Sequence, residues 1–199
     1  MQVMLVDSTA TVRPAVEGFI RAGYARTYEA KIGSFPAMLF AVAGADGAPH
    51  AAAGLRLRED GFFSEAYLDA PLETVALAAL GRPFARDEFL EVTTLVSASP
   101  FALFPLMSAM LRHGLEQGLG CGVFTATAPL RRLFTRLGIP FVPVLAAAPE
   151  RIGSPESWGS YYEQDPWVCL MPNPAAPATC LLPRARIPRP SNREPALNG

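Results

Sequence analysis

The chain has 199 residues, half of them apolar and 18% charged, with a formal net charge of -1. That length supports one domain with a sizeable core, and the composition excludes a globally disordered chain. With so little net charge there is no bulk field to recruit nucleic acid or an anionic membrane.

Met1–Val6 reads as a short strand. A helix follows, with Ser8 or Thr11 as the expected N-cap and Pro14 in its first turn. Val12, Val16, Phe19, Ile20, Tyr24 and Tyr28 form its apolar stripe. Residues 37–43 read as a fully buried strand, and Asp46-Gly47 as a hairpin turn. Residues 50–58 return, with Leu55 and Leu57 facing one way and Arg56 and Arg58 the other. Residues 62–68 are expected to form a third strand, placing Glu65 and Tyr67 on a common face. A short helix covers 71–80.

Residues 88–97 form a β-branched strand with Glu91 and Thr93 on one face. Ser99-Pro100 opens the longest apolar helix, whose stripe runs from Leu103 to Leu119. Residues 121–126 are a strand, and Thr127 caps the next helix. Residues 141–147 are a strand, followed by the aromatic segment WGSYYEQDPWVCL. Beyond residue 171 the chain is proline-rich, so 1–171 is expected to be the domain and 172–199 a disordered tail.

Cys121, Cys169 and Cys180 are odd in number and lack CxxC spacing. No disulfide framework or metal site is expected, and a reducing compartment is the simpler reading. The first residues hold no basic n-region or apolar h-region, so no secretory signal is expected. No apolar run approaches the roughly 18 residues of a spanning helix. Cytoplasmic placement without a membrane span is the expectation.

This order of elements predicts an α/β (α+β) domain of three layers, with a mixed, mostly antiparallel central sheet and helices on both faces. The order is similar to the GNAT-like acyltransferase fold and its acyl-homoserine lactone synthase relatives. The stretch from Phe35-Pro36 through Gly54-Leu55-Arg56, and then FFSEAYLDAPLE, resembles the thermostable hemolysin family of bacterial proteins. So do EVTTLV at 91–96, VFTATAPLRRLFTRLGIP at 123–140 and WGSYYEQDPWV at 158–168. The chain departs from the family at Thr93-Thr94, where asparagine and a small residue are usual.

The resemblance implies acyl transfer from a thioester to a small-molecule amine. The donor would be an acyl-CoA or an acyl carrier protein, with no tightly bound cofactor, no metal and no nucleic acid. Such chemistry needs a base, oxyanion donors and a groove for the acyl carrier. Glu91 lies between Leu90 and Val92, so its carboxylate must be paired or carry a raised pKa. Glu91, Glu65, Tyr67 and Arg56 are the candidate catalytic residues, with Tyr67 as proton donor to the departing thiolate. Arg56 paired with a glutamate on a solvated sheet face is the competing reading.

The candidate binding residues are Thr93, Leu95, Phe101, Phe104, Thr125, Thr127, Trp158 and Tyr161. The junction SASPFALFPL lacks the glycine-rich loop that cradles pyrophosphate in GNAT enzymes, and prolines 100 and 105 lack an N–H. Phe101 and Phe104 there suggest an apolar groove. Arg131, Arg132 and Arg136 offer a face for an acidic carrier protein. The cleft is expected where the Glu91 strand parts from residues 121–126. Two other classes remain open: a membrane-active haemolysin, and an inactive relative that binds a metabolite or partner.

Overall fold

The computed structural model describes residues 1–173. The expected proline-rich tail lies outside the described residues from position 174 onward. One seven-stranded sheet carries the fold, in the order β1-β2-β3-β4-β5-β7-β6. Its strands are β1 (Gln2–Val6), β2 (Met38–Ala43), β3 (Pro49–Arg56), β4 (Phe89–Ser97), β5 (Cys121–Ala126), β6 (Val142–Ala146) and β7 (Trp167–Pro172). Every neighbouring pair is antiparallel except β4 and β5.

Helix α1 (Arg13–Tyr28) packs Val16, Ile20 and Tyr24 against Leu39, Ala41 and Ala52 on one face of the sheet. Helix α2 (Leu72–Leu80) extends that layer over Phe89, Val123 and Leu170. On the other face α3 (Pro100–Glu116) sets Ala102, Leu106 and Met110 against Phe40, Ala53 and Leu90. Helix α4 (Ala128–Arg136) inserts Phe134 beside Phe124 and Met171. Covering both faces is why β2 and residues 51–55 of β3 read as unbroken apolar runs. Ala51, Ala52 and Ala53 are fully buried, and their small side chains let both helical layers lie close.

Three expectations are corrected. Residues 62–68 do not form a strand; Phe63–Tyr67 is a 3₁₀ turn. Its first N–H groups bond to the Glu91 side chain, not to a neighbouring strand. A last strand, β7, comes from the aromatic segment and inserts between β5 and β6. The cap of α1 is Val12, because Thr9 donates its N–H and hydroxyl to Asp7 and closes a separate turn. Thr127 and Ser99 do occupy the cap positions of α4 and α3, but neither side chain bonds to its helix.

The pairing along β4 places the site. β4 and β5 pair only from Phe89↔Cys121 to Val92↔Phe124, and beyond that they part. Along the other edge, Thr93 pairs with Gly54 and Val96 with Ala52, so β4 carries one extra residue there. This β-bulge holds Thr94 at φ 48°. A β-branched residue in the left-handed region is strained by roughly 1–2 kcal/mol. Bulges bend a strand and raise its twist, which turns β4 away from β5.

Residues 155–164 close the site from above, and Gly159 lets them dock. It adopts φ 52°, ψ -128°, a conformation open to glycine. A Cβ at this position would fall on the backbone oxygen of Tyr28 at the end of α1. Gly159→Ala should therefore cost about 2 kcal/mol or more. The check is a lower urea midpoint at unchanged slope; an unaltered midpoint contradicts this account.

Candidate functional site

Glu91 points to the α1/α2 side of the sheet with 1% of its surface exposed. Its Oε1 accepts the Ser64 N–H at 2.8 Å and the Ser64 hydroxyl at 2.6 Å. Its Oε2 accepts the Phe63 N–H at 2.5 Å. Burial is the largest influence on this carboxyl and raises its pKa above the usual 4.5. The donors from Ser64 and Phe63, and the charge of Arg56, pull the other way. The result is a carboxylate with a strengthened proton affinity, held in one orientation.

Ser64 passes the connection on. Its Oγ lies 3.1 Å from the Thr125 hydroxyl on β5. The chain Glu91–Ser64–Thr125 therefore crosses from β4 to β5 where their pairing ends, from Glu91, paired with Val123, to Thr125, one residue beyond the last pair. The Tyr161 hydroxyl donates to the Thr125 carbonyl at 3.2 Å. The Tyr67 and Tyr162 hydroxyls share a bond of 2.7 Å. Burial, then the bond to Tyr162, raises the Tyr67 phenol. Tyr24, Tyr161 and Trp158 cluster at the opening, Tyr24 stacked on Tyr161 and edge-on to Trp158.

Three cavities meet at the strand split. The first, of about 90 Å³, lies on the α3/α4 side and reaches through the sheet to Tyr24 and Tyr161. Its walls are mostly apolar, with Leu95, Met107, Leu111, Phe124 and Leu130 among them, and Thr125 and Thr127 at polar points. The central cavity is lined by Glu91, Tyr67, Thr93, Thr94, Thr125 and Trp158. The third is lined by Lys31, Arg56, Thr93, Thr94 and Trp158. The hydroxyl oxygens of Thr93 and Thr94 are buried and have no hydrogen-bond partner among the described residues. An unmet buried hydroxyl is costly unless a ligand or water meets it.

Most of the residues singled out from sequence gather here. Glu91, Tyr67, Thr93, Thr125, Trp158 and Tyr161 line one cavity, and Leu95 and Thr127 line the apolar one. Others stand apart. Glu65 is on the 3₁₀ turn and pairs with Arg86 at 2.6 Å, and that bond is the main reason its pKa is lowered. Glu65 therefore does not share a strand face with Tyr67. Arg56 forms no ion pair with either glutamate; it donates to the Asp60 carbonyl. Phe101 and Phe104 project outward, 80% and 48% exposed, because α3 presents its other side to the sheet.

Arg131 is not an open cation. It bonds to the Ala126 carbonyl and to Asp165, stitching β5 to the start of β7. Two features carried no recognisable sequence signal: Ser64, whose role depends on a turn, and the bulge at Thr94. Burial pushes the thiols of Cys121 and Cys169 up to about 12, so neither is an activated nucleophile.

The model of the thermostable hemolysin family matches residues 6–176. Solved structures share the fold. The acyl-homoserine lactone synthase LasI aligns at TM-score 0.60 and 11% identity, covering 93% of this chain and 98% of its own. TofI aligns at 0.59 and 12% identity, covering 91% and 96%. FeeM, an N-acyl amino acid synthase from uncultured soil microbes, aligns at 0.57 and 15% identity, covering 88% and 94%. No curated protein matches the sequence.

The raised pKa of Glu91 gives a signed pH dependence. The folded state holds this proton more tightly than the unfolded chain does. Stability present at acid pH is therefore lost as pH rises from 4.5 through the raised folded value. Glu91→Gln cannot titrate. The stability of the wild type relative to this variant, from urea midpoints, should fall across that window; a rising difference refutes the assignment.

Proposed function

The chain belongs to the thermostable hemolysin family, and from that membership, its acyltransferase-like fold and its joined cavities we propose that it transfers an acyl group from a thioester to a small-molecule amine. The observation that carries this reading is the hydrogen-bonded chain Glu91–Ser64–Thr125, set where an apolar cavity opens through the split sheet.

The acyl chain occupies the apolar cavity, which brings the thioester carbonyl to the split. The amine enters from the Glu91 side. Its nitrogen forms the C–N bond as the C–S bond breaks. The proton leaving nitrogen passes by Thr125 and Ser64 to Glu91, and from there to the departing thiolate. A carboxyl with a raised pKa suits this exchange. The raised pKa of Tyr67 makes its hydroxyl a fixed hydrogen-bond donor and a poor acid. The unpartnered hydroxyls of Thr93 and Thr94 are suited to hold the reacting groups.

The donor is an acyl-CoA or an acyl carrier protein. The start of α3 is poorly equipped for pyrophosphate. Pro100 has no N–H, and the N–H groups of Ala102 and Leu103 already bond to Ser99. The apolar cavity favours a donor chain longer than acetyl. The family's name raises membrane lysis as the other class. Among the described residues no helix is long and apolar enough to cross a membrane.

The test follows free thiol from a series of acyl thioesters mixed with amines. Thiol should appear, and Glu91→Gln should slow it at least tenfold, about 1.4 kcal/mol of barrier. Met107→Trp should shift the preferred donor to shorter chains. Liposome leakage without thiol release would establish lysis instead, and neither activity would indicate an inactive relative.

A further inference from the structure

The third cavity has a charge pattern that acyl transfer alone does not require. Lys31, the chain's only lysine, and Arg56 both line it. No Asp or Glu is among its lining residues. Neither cation forms an ion pair with a carboxylate among the described residues. Arg56 spends one donor on the Asp60 carbonyl, which leaves most of its planar fork unused. Thr93 and Thr94, whose hydroxyls are unpartnered among the described residues, line the same space.

The position of this cavity is as informative as its charge. Arg56 is the cross-strand partner of Glu91 in the β3–β4 register. The cavity shares Phe63, Thr93, Thr94 and Trp158 with the central one that holds the Glu91 carboxylate. Arg56 and the proton acceptor thus stand on neighbouring strands and border cavities that share a wall. An α-amino acid carries its amine and its carboxylate on one carbon, so one molecule lying across the shared wall would present one group to each cavity.

Resting on the acyl-transfer reading, we infer that the acceptor is an amino acid whose carboxylate is bound by Arg56 and Lys31 while its amine faces the Glu91 relay. The reaction then joins the amino-acid nitrogen to the acyl carbon and releases the thiol, with the amine proton going to the thiolate. Lys31 is exposed at the rim and guides the anion in; Arg56 fixes its orientation.

The experiment uses the full chain and a decanoyl thioester of N-acetylcysteamine, a donor without phosphate. Acceptors come as pairs: leucine with leucinamide, phenylalanine with phenylalaninamide. Thiol release should favour each amino acid over its amide at least tenfold in kcat/KM. Lys31→Gln and Arg56→Gln should each collapse that preference, chiefly through KM for the amino acid. Equal use of acid and amide by the wild type overturns the inference, as does an equal slowing of both by the variants. A raised KM for decanoyl-CoA, with the amino-acid preference intact, would assign the cations to donor phosphate and also overturn it.

Calorimetric titration without donor separates the two levels. If no acceptor releases thiol but leucine binds and leucinamide does not, in a manner lost in Lys31→Gln, the anion pocket stands and the transfer reading falls. If neither binds and no thiol appears, both fall.

Discussion

Glu91 lies mid-strand in a sheet covered on both faces, so its carboxylate is almost wholly withdrawn from bulk solvent. Such a charge is tolerated only when donors surround it, and here they come from the backbone of residues 63 and 64 and the Ser64 hydroxyl. That requirement shapes the connection between β3 and α2. A strand at 62–68 would have spent those N–H groups on a neighbour. The 3₁₀ turn aims them at one side chain, and by doing so it carries Ser64 to Thr125 and Tyr67 to Tyr162. The polar interior of the site is assembled around this one carboxylate.

The bulge at Thr94 supplies the space. Without it β4 and β5 would continue side by side, and no passage would connect the two helical layers. With it, side chains after the bulge keep their proper faces: Leu95 toward α3 and Val96 toward α1. The strain at Thr94 is stored where all three cavities share a wall, since Thr94 lines each of them. The polar and apolar halves of the site thus arise from two local irregularities in an otherwise regular sheet.

The sequence carried the frame of this molecule well. Helical stripes such as Val16-Ile20-Tyr24 and the β-branched run at 88–97 locate their elements because burial imposes a fixed period. Glu91 stood out since a charge between Leu90 and Val92 has few physical explanations. What remained hidden depends on non-local geometry. FFSEAYL has the composition of a strand, and only its distant partner Glu91 makes it a turn. β7 is obscured by aromatic and polar neighbours before Trp167. Phe101 and Phe104 lie close in sequence to the cleft, yet the rotation of α3 about its axis turns them outward, and residue type alone does not set that rotation. Lys31 and Arg56 are 25 positions apart and meet only through the fold.

The short parallel junction has one further consequence. The sheet is two antiparallel sheets, β1 to β4 and β5 with β6 and β7, coupled by four residue pairs. The Ser64–Thr125 bond is a second tie, and Arg131 holds the far half together. On the proposed function, an acyl chain lodged between α3 and the split would touch both halves at once and add contacts across their junction. Occupancy would then be felt as stiffness: the loaded protein resists local opening and melts at a higher temperature in proportion to ligand affinity.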